Sequence, residues 1–93
     1  MHILVLTVEL SLPVNSLKGK RGIVKSLLSR ARHRFNVSSA EIDRQDDAGW
    51  AVLAFTTVSC SAVRARQLLE SLEEWIPSER PEAEIMVSDI VEL

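Results

Sequence analysis

The sequence predicts an α+β domain in which four strands and two helices follow one another as βαββαβ. Apolar residues alternate along residues 3–12 and 50–59, recur at helical spacing in two longer segments, and are interrupted by proline or glycine between them. The chain has 93 residues, 46% of them hydrophobic, which is enough for one core but not for two. We therefore expect a single domain over residues 1–93.

The first strand and first helix show these patterns most clearly. Residues 3–12 alternate and end at Pro13, which cannot donate to a strand ladder. The face predicted to be buried carries Leu4, Leu6, Val8, Leu10 and Leu12. Ser16 is placed to cap a helix that runs to about Arg34. The predicted buried stripe of this helix consists of Leu17, Val24, Leu27, Leu28, Ala31 and Phe35.

The remaining elements follow from the same signals. In order, they are a strand over residues 36–43, a turn over 44–49, a strand over 50–59, a helix from Ser59 or Ser61 to about Ile76, a loop over 77–82 and a strand over 83–93. The second helix is predicted to bury Ala65, Leu68, Leu69, Leu72 and Ile76. Each helix can then join two strands by a right-handed crossover.

These elements combine most economically as a four-stranded antiparallel sheet in the order 4-1-3-2, with both helices on one face. This is the ferredoxin-like arrangement, in which a short hairpin joins the second and third strands. Within it we expect the first and third strands to lie side by side and to run parallel. The helices that follow them would then begin at the same end of the sheet.

The charges are distributed unevenly, although the net charge is only −2. Seven of the 11 lysines and arginines lie between residues 18 and 34, and no acid lies between Glu9 and Glu41. The first turns of this helix carry Lys18, Lys20 and Arg21, although a helix N-terminus favours acidic side chains. The pattern favours binding of an anion, and a well-solvated helix surface is the alternative.

The second helix also begins with cations, Arg64 and Arg66. If both helices begin at one end of the sheet, these cations join those of the first helix around free backbone amides, which suits an anion. The candidate nucleic-acid-binding residues are Lys18, Lys20, Arg21, Lys25, Arg32, Arg64 and Arg66. The alternative is that Glu9, Asp43 or a chain terminus neutralises the cations. On the anion hypothesis, replacing Lys18 and Lys20 by glutamate leaves stability unchanged or slightly higher and weakens RNA binding.

The sheet face without helices is predicted to be apolar and to form a homodimer interface. Its candidate residues are Ile3, Val5, Trp50, Val52 and Ala54. Residues 48–55, AGWAVLAF, partly match the RNP1 motif of RNA-recognition domains through Gly49, Trp50, Ala51 and Phe55. The basic residue and the second stacking aromatic of that motif are missing, so we do not expect bases to stack on this sheet.

Signals for catalysis, metals and membranes are weak. His2 and His33 stand apart, and Cys60 has no neighbouring base, so it is interpreted as a small buried residue. Asp43, Asp46 and Asp47 fit a solvated turn better than a metal loop. We expect no enzyme activity, cofactor, metal or small-molecule substrate. The apolar runs are too short for a membrane span, and a lone cysteine agrees with a reducing cytoplasm.

Several segments of the first half together resemble the YlxP-like family of small bacterial proteins. The matching positions are Leu12-Pro13, Ser16-Leu17-Lys18-x-Lys20-Arg21, Phe35-Asn36-Val37 and Ala40-Glu41-x-Asp43, followed by Gln45 and Asp46. The resemblance implies a ferredoxin-like fold and no established enzyme activity. Genes of this family tend to lie among translation and ribosome-maturation genes, which points to RNA as a partner and to Lys18, Lys20 and Arg21 as the residues to test.

The expected function is therefore a non-enzymatic RNA- or ribosome-associated accessory protein. It would contact phosphates through the first helix and the start of the second, which positions a protein on RNA without reading its sequence. The alternative is a homodimeric interaction or assembly module whose basic helix docks an acidic protein.

Overall fold

The computed structural model describes all residues from Met1 to Leu93 and shows the predicted order of elements. The elements are β1 (His2–Ser11), α1 (Leu17–Arg34), β2 (Ser38–Asp43), β3 (Trp50–Ser59), α2 (Ala62–Glu79) and β4 (Glu84–Glu92). Neither helix combines the length and the apolar composition needed to cross a membrane.

The four strands form one sheet in the order β2-β3-β1-β4, which is the predicted order 4-1-3-2. Every neighbouring pair is antiparallel. The pairing of β1 with β4 shifts register at a bulge after Glu9, and the pairing of β2 with β3 shifts register at a bulge after Glu41. The ferredoxin-like arrangement is confirmed.

The expectation that β1 and β3 run parallel is wrong. His2 lies opposite Ser59, and Ser11 lies opposite Trp50, so the two strands run in opposite directions. The reason is topological: the α1 crossover makes β2 parallel to β1, and the hairpin then reverses β3. α1 follows the Ser11 end of β1 and α2 follows the Ser59 end of β3. The helices therefore begin at opposite ends of the sheet, about 30 Å apart at roughly 3.4 Å per strand residue.

The core lies between the helices and one face of the sheet. The predicted alternation of β1 is confirmed, since Leu4, Leu6, Val8 and Leu10 are all 1% exposed or less. The other buried apolar residues of the cluster are Leu12, Ile23, Val24, Leu27, Ala31, Ala51, Leu53, Phe55, Ala65, Leu69, Leu72, Ile76 and Ala83. Leu17, Leu28, Phe35 and Leu68 are only half-buried because the contact face of each helix is centred on other positions. In α1 the centre includes Ile23 and, unexpectedly, Lys20.

Both helices begin at a serine cap. The Ser16 hydroxyl accepts the Gly19 N–H at 3.1 Å, and the Ser61 hydroxyl accepts the Arg64 N–H at 3.2 Å. Ser61, not Ser59, is therefore the cap of α2.

α2 continues to Glu79 and does not end at Ile76. Pro77 lies in the last turn, so the backbone donor that it lacks is missing only near the helix end. The Arg80 N–H closes the helix on the Ile76 carbonyl at 2.9 Å. The ring of Trp75 in this segment meets Phe35 edge to face, with 5.6 Å between ring centroids.

Candidate nucleic-acid interface

Lys20 is the most deeply buried charged residue in the protein, with 1% of its surface exposed. Its ammonium donates to the backbone carbonyls of Arg44 at 2.6 Å and Asp47 at 2.7 Å, and lies 3.4 Å from that of Gln45. The Glu41 carboxylate lies 2.9 Å away on the same ammonium. These four oxygens, here called the Lys20 cage, tie α1 to the turn between β2 and β3.

The cage accounts for the unusual backbone of this turn. Arg44 has φ 56°, in the left-handed region that a side chain with a Cβ rarely adopts. The Asp43 carboxylate accepts the Arg44 N–H at 2.8 Å, while Lys20 holds the Arg44 carbonyl from the other side. A buried ammonium with four oxygen partners keeps the turn in place, since an unpaired buried charge is strongly unfavourable.

Lys20 is therefore not an exposed phosphate ligand, and the prediction that assigned it to nucleic-acid binding is wrong for this residue. The alternative, that lysines of this helix pair with the protein's own acids, holds for Lys20, although its partner is Glu41 and not Glu9 or Asp43. A signal was present in the sequence. Lys20 precedes Ile23, Val24 and Leu27 by three, four and seven residues, which is the spacing of one helix face.

Four of the other six lysines and arginines of α1 form an exposed row, which we call the basic stripe. It consists of Lys18, Arg21, Lys25 and Arg32. These positions repeat at intervals of three, four and seven residues, so they share one flank of the helix over about 21 Å at 1.5 Å per residue. The stripe lies on the flank next to β2. A groove of about 340 Å³ runs there, lined by Arg21, Val24, Lys25, Leu28, Arg32 and Glu41.

Arg32 is held in a fixed position at the far end of this groove. Its guanidinium donates to the Ser39 hydroxyl at 2.8 Å, and that hydroxyl donates to the Leu28 carbonyl at 3.2 Å. Arg32 also lines a second cavity of about 500 Å³, in which Asn36, Ser38 and Thr56 supply polar groups. The two cavities therefore meet at one oriented guanidinium, whose other N–H groups are available to a ligand.

The basic stripe has no acidic partner within the chain. The ion pairs of α1 are Lys20 with Glu41 and Arg30 with Glu79, and neither cation belongs to the stripe. Glu41 lines the groove, but its carboxylate faces Lys20. Glu9 accepts the Trp50 indole N–H at 3.1 Å, on another part of the molecule. The stripe is thus a row of exposed, unneutralised positive charge.

Arg64 and Arg66 do not join this row. They are exposed on the first turns of α2, at the other end of the sheet from Lys18 and Arg21. Arg66 lines a separate shallow cavity together with Glu70. The predicted anion site between two helix N-termini does not exist, because the antiparallel sheet separates them.

The predicted dimer residues all belong to strand positions facing away from the helices. Ile3, Val5, Trp50 and Ala54 are half-buried, whereas Val52 is only 8% exposed and cannot contribute much to a contact. The more exposed valines of the same face, Val58, Val87 and Val91, were not among the predicted residues. Strict alternation along β3 from Trp50 places Val58 on this face. The β4 valines could be placed there only once the pairing register of β4 was known.

The partial RNP1 match has no structural counterpart. Phe55 is completely buried on the helix side of the sheet and cannot stack on a base. The Trp50 ring is covered by Arg44, whose guanidinium lies 5.2 Å from the ring centroid.

The weaker candidates lie apart from one another. His2 contacts Glu92 at 2.6 Å, His33 contacts the Ser29 carbonyl at 2.9 Å, and Cys60 is exposed, not buried as expected. Asp47 is engaged within its own turn by Arg44 and by the Gly49 N–H. No group of three histidine, cysteine or acidic side chains is gathered closely enough to hold a metal ion.

Comparison with known proteins agrees with the fold and with the pattern of the first half. The family model described as "Protein of unknown function (DUF503)" matches residues 3–90. The chain belongs to this family. It is 38% identical over 63 residues to the "Uncharacterized protein YlxP" of Bacillus subtilis (strain 168), an alignment that covers 68% of each protein. This confirms the YlxP-like resemblance.

The fold is also found in a solved structure. A de novo designed protein with ferredoxin fold, LFR1 1, solved by NMR in solution, superimposes with a TM-score of 0.62. The match covers 100% of this chain and 84% of the designed one at 14% identity, so it concerns the fold alone.

Proposed function

We propose that this protein is a non-enzymatic RNA-binding accessory protein, associated with ribosomes or other RNA, that contacts phosphates through the basic stripe of α1. The observation that supports the proposal is that Lys18, Arg21, Lys25 and Arg32 form no intramolecular ion pair, in a chain whose net charge is −2. Lys18 and Arg21 lie in the first turns of α1, where cations are unfavourable to the helix dipole, and Arg21, Lys25 and Arg32 line one groove.

The chemistry of the stripe suits phosphates. Arginine offers a planar fork of donors that matches phosphate oxygens, and lysine adds a mobile point charge. Its length of about 21 Å covers several successive phosphates. Contacts of this kind fix position and orientation, and they carry no sequence information. The function is therefore backbone binding, with Lys20 supporting the site from beneath and not touching RNA. The proposal implies a cytoplasmic location, which a single cysteine supports.

A capture experiment with matched variants tests the proposal. The protein is immobilised and exposed to lysate with and without ribonuclease. The stripe variant is Arg21→Gln with Lys25→Gln, and the control is Arg64→Gln with Arg66→Gln, which removes the same charge from α2. We expect the unmodified protein and the control to retain RNA that ribonuclease removes, and the stripe variant to lose most of it.

Two results would contradict this function. Equal RNA retention by the stripe variant and the control would show that the stripe is not the binding surface. The second result is a captured protein that stays bound after ribonuclease treatment and is lost only when the stripe variant is used. It would show that the stripe binds an acidic protein and not RNA, which is the alternative function.

A further inference from the structure

The outer face of the sheet, the one without helices, is largely apolar and uncovered. It consists of Ile3, Val5, Thr7, Glu9 and Ser11 on β1, Trp50, Val52, Ala54, Thr56 and Val58 on β3, and Glu84, Val87, Asp89 and Val91 on β4, with Ser38, Ala40 and Asp43 on β2. Val58 is 57% exposed, Val87 53% and Val91 44%. Connected apolar surface of this extent on a small domain marks an interface.

The size of this face fits a dimer. β1 and β3 have 10 residues each and β4 has 9, which gives about 30 Å along the strands. Four strands about 4.8 Å apart make the face 15–20 Å wide, so its projected area is roughly 500 Å². The accessible area of projecting side chains is larger than the projected area, and a standard interface buries about 800 Å² per partner.

The charges at the edges of this face are arranged to complement each other. Glu84 on β4 lies opposite Ser11, which lies opposite Trp50, and the Arg44 guanidinium covers the Trp50 ring. One row across the sheet therefore has Arg44 at the β2–β3 side, where it also pairs with Asp47 at 2.6 Å, and Glu84 at the β4 side. Reversing this row left to right brings Glu84 to the position that faces the Arg44 guanidinium.

We propose that the outer face binds the outer face of a second copy of this chain, related by a two-fold axis parallel to the strands. This axis places each row of residues across one sheet against the same row of the other sheet in reverse order, so that β4 faces β2 of the partner subunit. Glu84 then meets Arg44 of the partner subunit, and the contact occurs twice. An axis perpendicular to the strands through the middle of the sheet, at the row of Thr7 and Asp89, would place Asp89 on Asp89 of the partner subunit, and like charges at such a contact are unfavourable. The valines of the face then pack between the two sheets at about 10 Å separation.

The dimer leaves both basic stripes free. The helices cover the other face of each sheet, so the stripes of the two subunits lie on opposite outer sides of the dimer. The inference is therefore independent of the proposed RNA binding, and either can fail without the other.

Charge-swap variants test the contact by sedimentation velocity between 1 and 100 µM. The unmodified protein is expected to be dimeric at about 10 µM. Glu84→Arg alone and Arg44→Glu alone each create two like-charge contacts and should weaken association at least tenfold. An equimolar mixture of the two variants has opposite charges at both contacts and should form dimers again.

A second pair of variants avoids the β2–β3 turn, in which Arg44 also contacts Asp47. Val91→Lys places a charge in the apolar interface and should give monomers. Val63→Lys alters a valine that is 66% exposed on α2, away from the sheet, and should leave the dimer intact. A monomeric parent at 100 µM would overturn the proposal, as would dimers of Val91→Lys as stable as the parent. Loss of dimers in Glu84→Arg without recovery in the mixture would overturn the proposed axis.

Discussion

The two helices have the same length and the same kind of start, but their charges have different roles. Each has 18 residues, a serine cap and no acid in its first turn. α2 lies over the middle of the sheet, and its exposed side is rich in acids, including Glu70 and Glu74. α1 lies towards β2, at the edge of the sheet, and its exposed flank is basic.

This difference shows that a charged residue on a helix indicates a binding surface only when its contacts within the protein are known. Six of the seven lysines and arginines of α1 fall into three groups with different surroundings, and Arg34 lies over the Phe35 ring at the end of the helix. Lys20 is buried and holds a turn, Arg30 is paired with Glu79 of α2, and the stripe has no acidic partner. The stripe is the group whose charges are free to bind a ligand, and substitutions at Lys20 and in the stripe should therefore have different effects.

The largest expected effect on stability comes from replacing the buried Lys20. Lys20→Met removes the ammonium from the cage and leaves the Glu41 carboxylate and the turn carbonyls without their donor. Breaking a buried ion pair in this way costs about 3–5 kcal/mol, and we expect a loss near the lower end because Glu41 is 18% exposed. Urea denaturation measures it. Lys18→Met is the matched control on the exposed flank and should change stability by about 0.5 kcal/mol or less. Equal effects of the two substitutions would contradict the assigned roles.

A double-mutant cycle separates the ion pair from the rest of the cage. Glu41→Gln alone should destabilise the protein because Lys20 then keeps its charge without a counterion. Combining it with Lys20→Met should cost less than the sum of the two single changes, with a coupling on the order of 1–3 kcal/mol. Additive losses in the same denaturation experiment would mean that Lys20 acts only through the turn carbonyls.

The smallest expected effect concerns the feature that the helices share. Ser16→Ala and Ser61→Ala each remove the acceptor of one N-terminal amide and should cost about 1 kcal/mol, close to the same for both. Thermal unfolding followed by circular dichroism measures the difference. A loss of several kcal/mol for Ser16→Ala alone would show that the Ser16 cap also supports the Lys20 cage, since Lys20 lies four residues after Ser16.

The fold could be predicted from the sequence because it depends on patterns that repeat. The alternation of Leu4, Leu6 and Val8 and the helical spacing of Leu69, Leu72 and Ile76 define faces over many residues. The site depended on single contacts, which such patterns do not show. Lys20 was assigned by its charge, although its spacing from Leu27 places it on the core face. Strand direction was the other error, because the hairpin between β2 and β3 decides where α2 begins.

The most direct test of the central claim, that the basic stripe binds phosphates, is the salt dependence of RNA affinity. Binding of a single-stranded RNA is titrated at several salt concentrations for the unmodified protein, the stripe variant Arg21→Gln with Lys25→Gln, and the control Arg64→Gln with Arg66→Gln. Each lost phosphate contact lowers the slope of log affinity against log salt by about 0.7 on single-stranded RNA. We expect the stripe variant to lose about 1.4 from the slope if both contacts are removed, at unchanged stability, and the control to match the unmodified protein. Equal slopes for the stripe variant and the control would contradict the claim.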